Sequence, residues 1–177
     1  MSEVTRVYAG RLAGMVVRGP ETDVIGRVRD VVVNVRPAGH QSRVLGLVVE
    51  MTNKRRIFLP MLRIASIDPH EIMLVSGSVS LRAFKPRTGE LTIMGDIIGA
   101  KVQVDDPDLP KIHAKPVEVA DIEIERPRTR DWAISAVAVI SERAKFGRRT
   151  EILIASWKHV HGITAAGVGI SDAAAEL

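Results

Sequence analysis

The stretch Val24-Ile25-Gly26-Arg27-Val28-Arg29-Asp30-Val31-Val32-Val33 decides the fold class. Val24, Gly26, Val28, Asp30 and Val32 fall on one face of an extended chain, and Ile25, Arg27, Arg29, Val31 and Val33 on the other. That two-residue period, carried by β-branched side chains, is the signature of a strand. The alternation is imperfect, which predicts a bulge or bend near Gly26.

Strand signals continue on both sides of this segment. Upstream, Leu12 to Val17 is a short apolar run containing Gly14, and Gly19-Pro20-Glu21-Thr22-Asp23 reads as a turn. Downstream, Pro37-Ala38-Gly39 turns the chain and Val44 to Met51 suits a strand buried on both faces. Thr52-Asn53-Lys54-Arg55 reads as a hairpin loop before Ile57-Phe58-Leu59, where Pro60 interrupts pairing. Leu62 to Ile67 and Ile72 to Val75 are short strands around an Asp68-Pro69-His70 turn. So many short strands closed by turn chemistry imply a small barrel or rolled sheet.

Composition agrees. Among 177 residues, Val and Ile number 40 against 11 Leu and six aromatics, so a long helical bundle is disfavoured and the core is aliphatic. Without cysteine, disulfides, thiolate zinc sites and cysteine nucleophiles are excluded. The same absence fits a cytoplasmic protein. No apolar run approaches a helical membrane span, and Met1 to Arg6 lacks an apolar signal core.

Ser78 to Phe84 predicts a short linker helix, with Leu81 and Phe84 three apart, and Lys85-Pro86-Arg87-Thr88-Gly89 follows as a linker. Strands are then expected at Leu91 to Met94, Lys101 to Val104, Val117 to Glu125, Trp132 to Ile140 and Glu151 to Trp157. The two halves repeat one pattern. Gly10-Arg11-Leu12-Ala13-Gly14 aligns with Gly95-Asp96-Ile97-Ile98-Gly99. Val28-Arg29-Asp30-Val31 aligns with Val119-Ala120-Asp121-Ile122, and Val44 to Val49 with Ile134 to Val139. The expected organisation is one domain over 5–85, a second over 90–170 and a tail over 171–177, with a short helix from Ser171. Tyr8 is expected in the first domain.

The string Leu12 to Val17, Val24 to Val33, Val44-Leu45-Gly46-Leu47-Val48-Val49 and Ile57-Phe58-Leu59-Pro60 resembles the PRC-barrel family. Its hallmark I-G-x-V-x-D-V stands at Ile25 to Val31; the second half keeps only Val119, Asp121 and Ile122 of it. The resemblance implies an all-β chain of two tandem small PRC-type barrels and adaptor roles, as in the reaction-centre H subunit and the ribosome maturation factor RimM. Val7 to Leu12, Arg55 to Met61 and Thr129-Arg130-Asp131-Trp132 look more like actinobacterial-type PRC-barrel proteins that carry MgtE intracellular N-terminal and CBS domains. Those relatives are often labelled magnesium-transporter-like. The expectation is therefore a non-enzymatic interaction or regulatory module of an MgtE-like, CBS-associated cytoplasmic protein. The alternative is a RimM-like factor binding the small ribosomal subunit.

Charge separates the halves. Residues 1–88 carry 14 Lys/Arg and 7 Asp/Glu; residues 89–177 carry 11 and 14. Such a field suits attraction between the halves, an acidic protein surface, RNA or anionic lipid headgroups. A protein partner is expected first, with nucleic acid, peripheral membrane contact and a homo-oligomer behind it. Two basic hairpins are the candidate partner-binding elements: Lys54, Arg55 and Arg56, and then Arg143, Lys145, Arg148 and Arg149. His159 and His161, two apart, are weak candidates for one metal-facing side of a strand, with no third ligand nearby. Asp105-Asp106-Pro107-Asp108 lacks the glycine and closing glutamate of a calcium loop. Asp121, Glu123 and Glu125 are expected to share one strand face. Trp132 and Trp157 are expected in core or inter-barrel packing. No catalytic constellation, nucleotide cradle or cofactor site is expected.

Overall fold

The computed structural model describes residues 4–36, 40–77, 79–80, 82–127, 131–164 and 167–168. Strands dominate it. In the first half, β1 (Arg6–Tyr8) runs into α1, a single turn over Ala9–Leu12. Then come β2 (Val16–Arg18), β3 (Val24–Asn34), β4 (Arg43–Met51), β5 (Arg56–Pro60), β6 (Ile64–Ile67) and β7 (Glu71–Leu74). In the second half, β8 (Glu90–Thr92) runs into a wide helical turn at Ile93–Ile97. The strands that follow are β9 (Lys101–Val104), β10 (Pro116–Glu125), β11 (Ala133–Glu142), β12 (Glu151–Ser156), β13 (Val160–His161), β14 (Ile163–Thr164) and β15 (Gly167–Val168). The chain is all-β, as its aliphatic composition implies.

The repeat is obeyed residue by residue. Gly14 N–H donates to the Val28 carbonyl at 2.8 Å, and Gly99 N–H to the Val119 carbonyl at 2.8 Å. Val28 N–H donates back to Met15, as Val119 N–H does to Ala100. Gly14 and Gly99 both have φ in the left-handed region, +80° and +89°, which explains glycine at both places. β4 pairs β5 with Gly46 opposite Pro60 and Glu50 opposite Arg56. β11 pairs β12 in the same register, with Ala136 opposite Ser156 and Ile140 opposite Ile152. Both β3 and β10 carry a register shift just before their aspartate, between Val28 and Asp30 and between Val119 and Asp121. The irregularity expected near Gly26 is present too, as a register shift against β2 between Gly26 and Val24, so β3 is bent at two places. Gly26 also serves close approach, since a Cβ there would sit 2.3 Å from the Glu50 carbonyl oxygen.

The halves exchange their first strands. β1 pairs antiparallel with β10, Tyr8 opposite Glu123, so Tyr8 joins the second half rather than the first. Reciprocally, β8 pairs with β3, Asn34 opposite Glu90. The turn that follows each exchanged strand is fixed by the other half's aspartate. Asp30 accepts hydrogen bonds from Met94 N–H at 2.8 Å and Gly95 N–H at 3.0 Å, besides its own neighbour Val31 at 2.8 Å. Asp121 accepts from Gly10 N–H at 3.0 Å and from Ile122 at 2.8 Å. A Cβ on Gly10 would come within 2.7 Å of the Asp121 carboxylate, so glycine there is a matter of space.

A local two-fold relation joins the halves. Val44 N–H donates to the Trp132 carbonyl at 2.8 Å, and Ile134 N–H to the Ser42 carbonyl at 2.9 Å, around the Arg43–Ala133 pair. The sheet is thus continuous through β11 and β4. Ser42 is the one fully buried polar side chain among the described residues, and its hydroxyl accepts from Trp157 Nε1 and from Arg36 N–H, each at 3.1 Å. Trp132 is buried and Trp157 half-buried, so both tryptophans serve packing between the halves. One apolar cluster runs from Leu12 and Val28 through Ile93 and Ile97 to Ile122 and Val139. Arg6 pairs with Glu125 at 3.1 Å and Glu123 at 3.7 Å, and Arg43 pairs with Asp131, so part of the charge asymmetry is spent between the halves.

Several local expectations are corrected. No helix forms at the described residues of 78–84: Ala83 makes an extended bridge with Ile57, while Ser78 and Leu81 lie outside the described residues. Of the apolar run Leu12 to Val17, Leu12 ends α1, Ala13 and Gly14 form a turn and strand begins only at Val16, because the Gly14 conformation redirects the chain before β2. Leu62–Arg63 and Ile93–Met94, expected in strands, lie in the helical turns Met61–Arg63 and Ile93–Ile97. The turn at Pro37-Ala38-Gly39 and the tail over 171–177 fall outside the described residues.

The exchange gives a test. Asp30→Ala strands three backbone donors and should cost about 2–4 kcal/mol in chemical denaturation. Amide exchange in that variant should accelerate in β10 and β11 as much as in β3 and β4. Loosening confined to the first half would contradict a shared cooperative unit.

A basic groove on the second half

The two basic hairpins are built on equivalent strand pairs but differ in how their charge is used. In the first, the β4–β5 loop closes by Lys54 N–H on the Met51 carbonyl at 2.9 Å, with Lys54 at φ +68°. Glu50 sits at its base and draws Arg56 to 3.3 Å, Arg29 to 3.5 Å and Lys54 to 3.9 Å. Burial pushes the Glu50 carboxyl up, but the Arg56 hydrogen bond and the three cations outweigh it and hold it below the usual carboxylate range. Two of the three predicted cations are thus tied down. Only Arg55 has no carboxylate within ion-pair distance among the described residues.

The second hairpin borders a groove of about 580 Å³. Its floor is the start of β10 and the end of β11, with Val117, Glu118, Ile140 and Ser141. Lys101 from β9, and Lys111 and Lys115 from the short turn before β10, face Arg143, Lys145, Arg148 and Arg149 across it. Arg143 is paired with Glu118. Lys111 is shared between Glu151 at 2.8 Å and Glu142 at 3.3 Å. The other five cations have no ion pair among the described residues, and all five are exposed. The structure therefore brings Arg143, Lys145, Arg148 and Arg149 together around one concavity and recruits three lysines that charge counting along the sequence had scattered.

Phe146 at the tip of this hairpin is fully exposed, in a left-handed conformation at φ +49° followed by Gly147 at φ +80°. An aromatic side chain held there costs strain that an ordinary soluble turn would avoid. The Phe146-Gly147 pair inside a cationic loop was the available signal for it.

The remaining candidates separate. His159 lies in a helical turn and His161 on β13, so they do not share a strand face. Among the described residues no group of three His, Asp or Glu side chains is arranged to hold a metal ion. Asp106 accepts a hydrogen bond from Asp108 N–H at 2.9 Å, shaping a turn. Asp121, Glu123 and Glu125 share one half-exposed face of β10, alternating with the buried Ile122 and Ile124, as expected, and Arg6 reaches both glutamates on it. Asp121 fixes Gly10, while Glu123 takes the Ser135 hydroxyl at 2.8 Å and faces Arg6. Burial raises the Tyr8 hydroxyl pKa, and the Glu123 and Asp121 charges raise it further.

A second concavity, of about 570 Å³, lies between β5 and the segment that leads to β8. There Phe84 N–H donates to the Arg56 carbonyl at 3.0 Å and the Phe58 and Phe84 rings lie 6.3 Å apart at 32°. No helix among the described residues is long and apolar enough to cross a membrane.

Residues 91–166 match a family described as Actinomycetes SH3 domain. The match covers β8 without its first residue and runs through β14, and it includes the whole basic groove. It falls on the half whose likeness to the PRC-barrel string is the looser. No curated protein matches the chain.

Lys111 offers a check on the groove's electrostatics. Its hydrogen bond lowers the Glu151 pKa, opposed by burial and aided by the Ser141 hydroxyl. A carboxylate with a lowered folded pKa contributes stability above its unfolded pKa, and loses it as pH falls through the folded value. Lys111→Met should therefore move the Glu151 titration midpoint upward, read by carboxyl carbon chemical shifts. An unmoved midpoint would place Lys111 elsewhere.

Proposed function

We propose that the chain is a non-enzymatic protein–protein interaction and regulatory module, formed by two intertwined PRC-type barrels, which receives an acidic partner protein in the groove of its second half. The observation that carries this reading is the set of five unpaired cations, Lys101, Lys115, Lys145, Arg148 and Arg149, around one concavity. Uncompensated charge in a concave site raises the rate and selectivity of capture of an oppositely charged surface. The likeness of residues 91–166 to an SH3 domain family supports an interaction role. The PRC-barrel string at Ile25 to Val31 and its neighbours supports a place in an MgtE-like, CBS-associated protein, where such a module would dock or regulate the other domains.

A protein partner is preferred over RNA because the groove carries few rings. Binders of single-stranded nucleic acid use aromatic platforms, and only Phe146 stands on this hairpin. The first hairpin is subordinate, since Glu50 already neutralises much of it.

The test is retention on immobilised polyglutamate compared with an RNA oligonucleotide at the same low salt. Arg148→Glu with Arg149→Glu should weaken polyglutamate binding at least about tenfold, more than Arg55→Glu with Arg56→Glu. Preference for RNA, or indifference to the Arg148 and Arg149 reversals, would overturn the reading.

A further inference from the structure

The shared register of the two hairpins shows where the halves stop being equivalent. Arg56, Ile57 and Phe58 on β5 correspond to Ile152, Leu153 and Ile154 on β12, because each trio lies opposite equivalent residues of β4 and β11. The outer edge of β5 is occupied. Ala83 bridges Ile57, Phe84 N–H donates to the Arg56 carbonyl at 3.0 Å, and the Phe84 ring packs beside Phe58. Ile57 is fully buried there, whereas its counterpart Leu153 is half-buried. The outer edge of β12 has no partner strand among the described residues; β12 pairs with β11 alone. Ile152 and Ile154, in the places of Arg56 and Phe58, are 51% and 52% exposed, so this edge carries apolar side chains that nothing among the described residues covers.

We propose that the free edge of β12 is a strand-addition site, which takes an extended, acidic segment of a partner protein in the way β5 takes residues 82–84. This rests on the docking reading above and specifies how the partner binds. An unpaired edge presents a row of backbone donors and acceptors, and natural proteins cover such edges or use them for recognition. By correspondence with Arg56, the Ile152 carbonyl faces outward. In an antiparallel ladder the amide two residues on, that of Ile154, faces the same way. The Phe84–Phe58 contact shows what the equivalent position over Ile154 accepts: a bulky apolar side chain.

Charge selects the occupant. Arg148 and Arg149 precede β12 and Lys158 follows it, and none of the three has an ion pair among the described residues. Glu151, at the start of the strand, is taken by Lys111. Antiparallel pairing of two copies through β12 would set the Lys158 end of one against the Arg148–Arg149 end of the other, so a second copy is disfavoured. An acidic strand meets cations at both ends and isoleucines between them.

The experiment uses the full chain and a ten-residue peptide alternating glutamate with valine around one central phenylalanine. Its control has the same side chains with alternate backbone nitrogens methylated, which blocks one edge from ladder pairing. The expected result is at least tenfold slower exchange of the Ile154 amide with the peptide bound, and at least tenfold weaker binding of the methylated control. Ile154→Asp, an exposed substitution, should weaken the unmethylated peptide similarly while sparing polyglutamate. Equal binding of both peptides overturns strand addition and leaves the docking reading standing. An Ile154 amide already protected without peptide overturns it too, by showing the edge held by the chain's own residues, or by a second copy if protection grows with protein concentration. If neither peptide nor polyglutamate binds, the docking reading falls with it.

Discussion

Everything in this structure depends on two carboxylates that reach across the repeat. Asp30 and Asp121 each sit just after a strand bulge and accept backbone N–H groups from the turn of the opposite half. The turn has to offer those donors because it follows an exchanged strand and bends the chain before the next one. A carboxylate is the compact side chain that can accept several amides at once, and hydrogen bonds to a charged acceptor are stronger than neutral ones. The bulge aims it, the neighbouring glycine leaves it room, and the exchanged strand brings the donors. Loss of any one of these strands the others.

The exchange also answers a size problem. A half of this chain is small for an independent aliphatic core with few rings. Threading β1 into the second half and β8 into the first makes each core depend on residues from both, and the apolar cluster is accordingly continuous. Ser42 shows the same economy with polar groups. Its hydroxyl and carbonyl serve Arg36, Trp157 and Ile134, so the one buried polar side chain among the described residues lies where the halves meet.

Strand positions were readable wherever β-branched residues ran long, as in Val24–Asn34 and Arg43–Met51, because local propensity and burial agree there. The repeat was readable too, and so was the importance of the Gly10–Gly14 and Gly95–Gly99 pairs. Partner assignment was not. A strand's sequence says that it pairs, not with which neighbour, and Arg6–Tyr8 could complete either half by pattern alone. The residues of 78–84 misled because Leu81 and Phe84 three apart suggest a helical face, whereas the bridge of Ala83 to Ile57 wins by covering an edge. For the groove, the hairpin cations were visible as a run, while Lys101, Lys111 and Lys115 lie on elements that only the fold brings beside them. The opposite fate of the two basic hairpins turns on Glu50, whose counterpart position in the second half is the neutral Ile140.

That last difference bears on why the docking surface is proposed on the second half. The two units began with equivalent geometry, and their registers still coincide. The first must send the chain from β7 to β8, and the route lays residues 82–84 along β5. Covering that edge and neutralising the adjoining hairpin with Glu50 together close the surface. Among the described residues no segment takes the same path over β12. With Ile140 in place of Glu50, Lys145, Arg148 and Arg149 lack such a carboxylate, and Ile152 in place of Arg56 makes the edge apolar. Three departures from the repeat thus act in the same direction, on one strand and its hairpin. Their convergence on one apolar, cation-flanked strand edge is what the proposed docking surface requires.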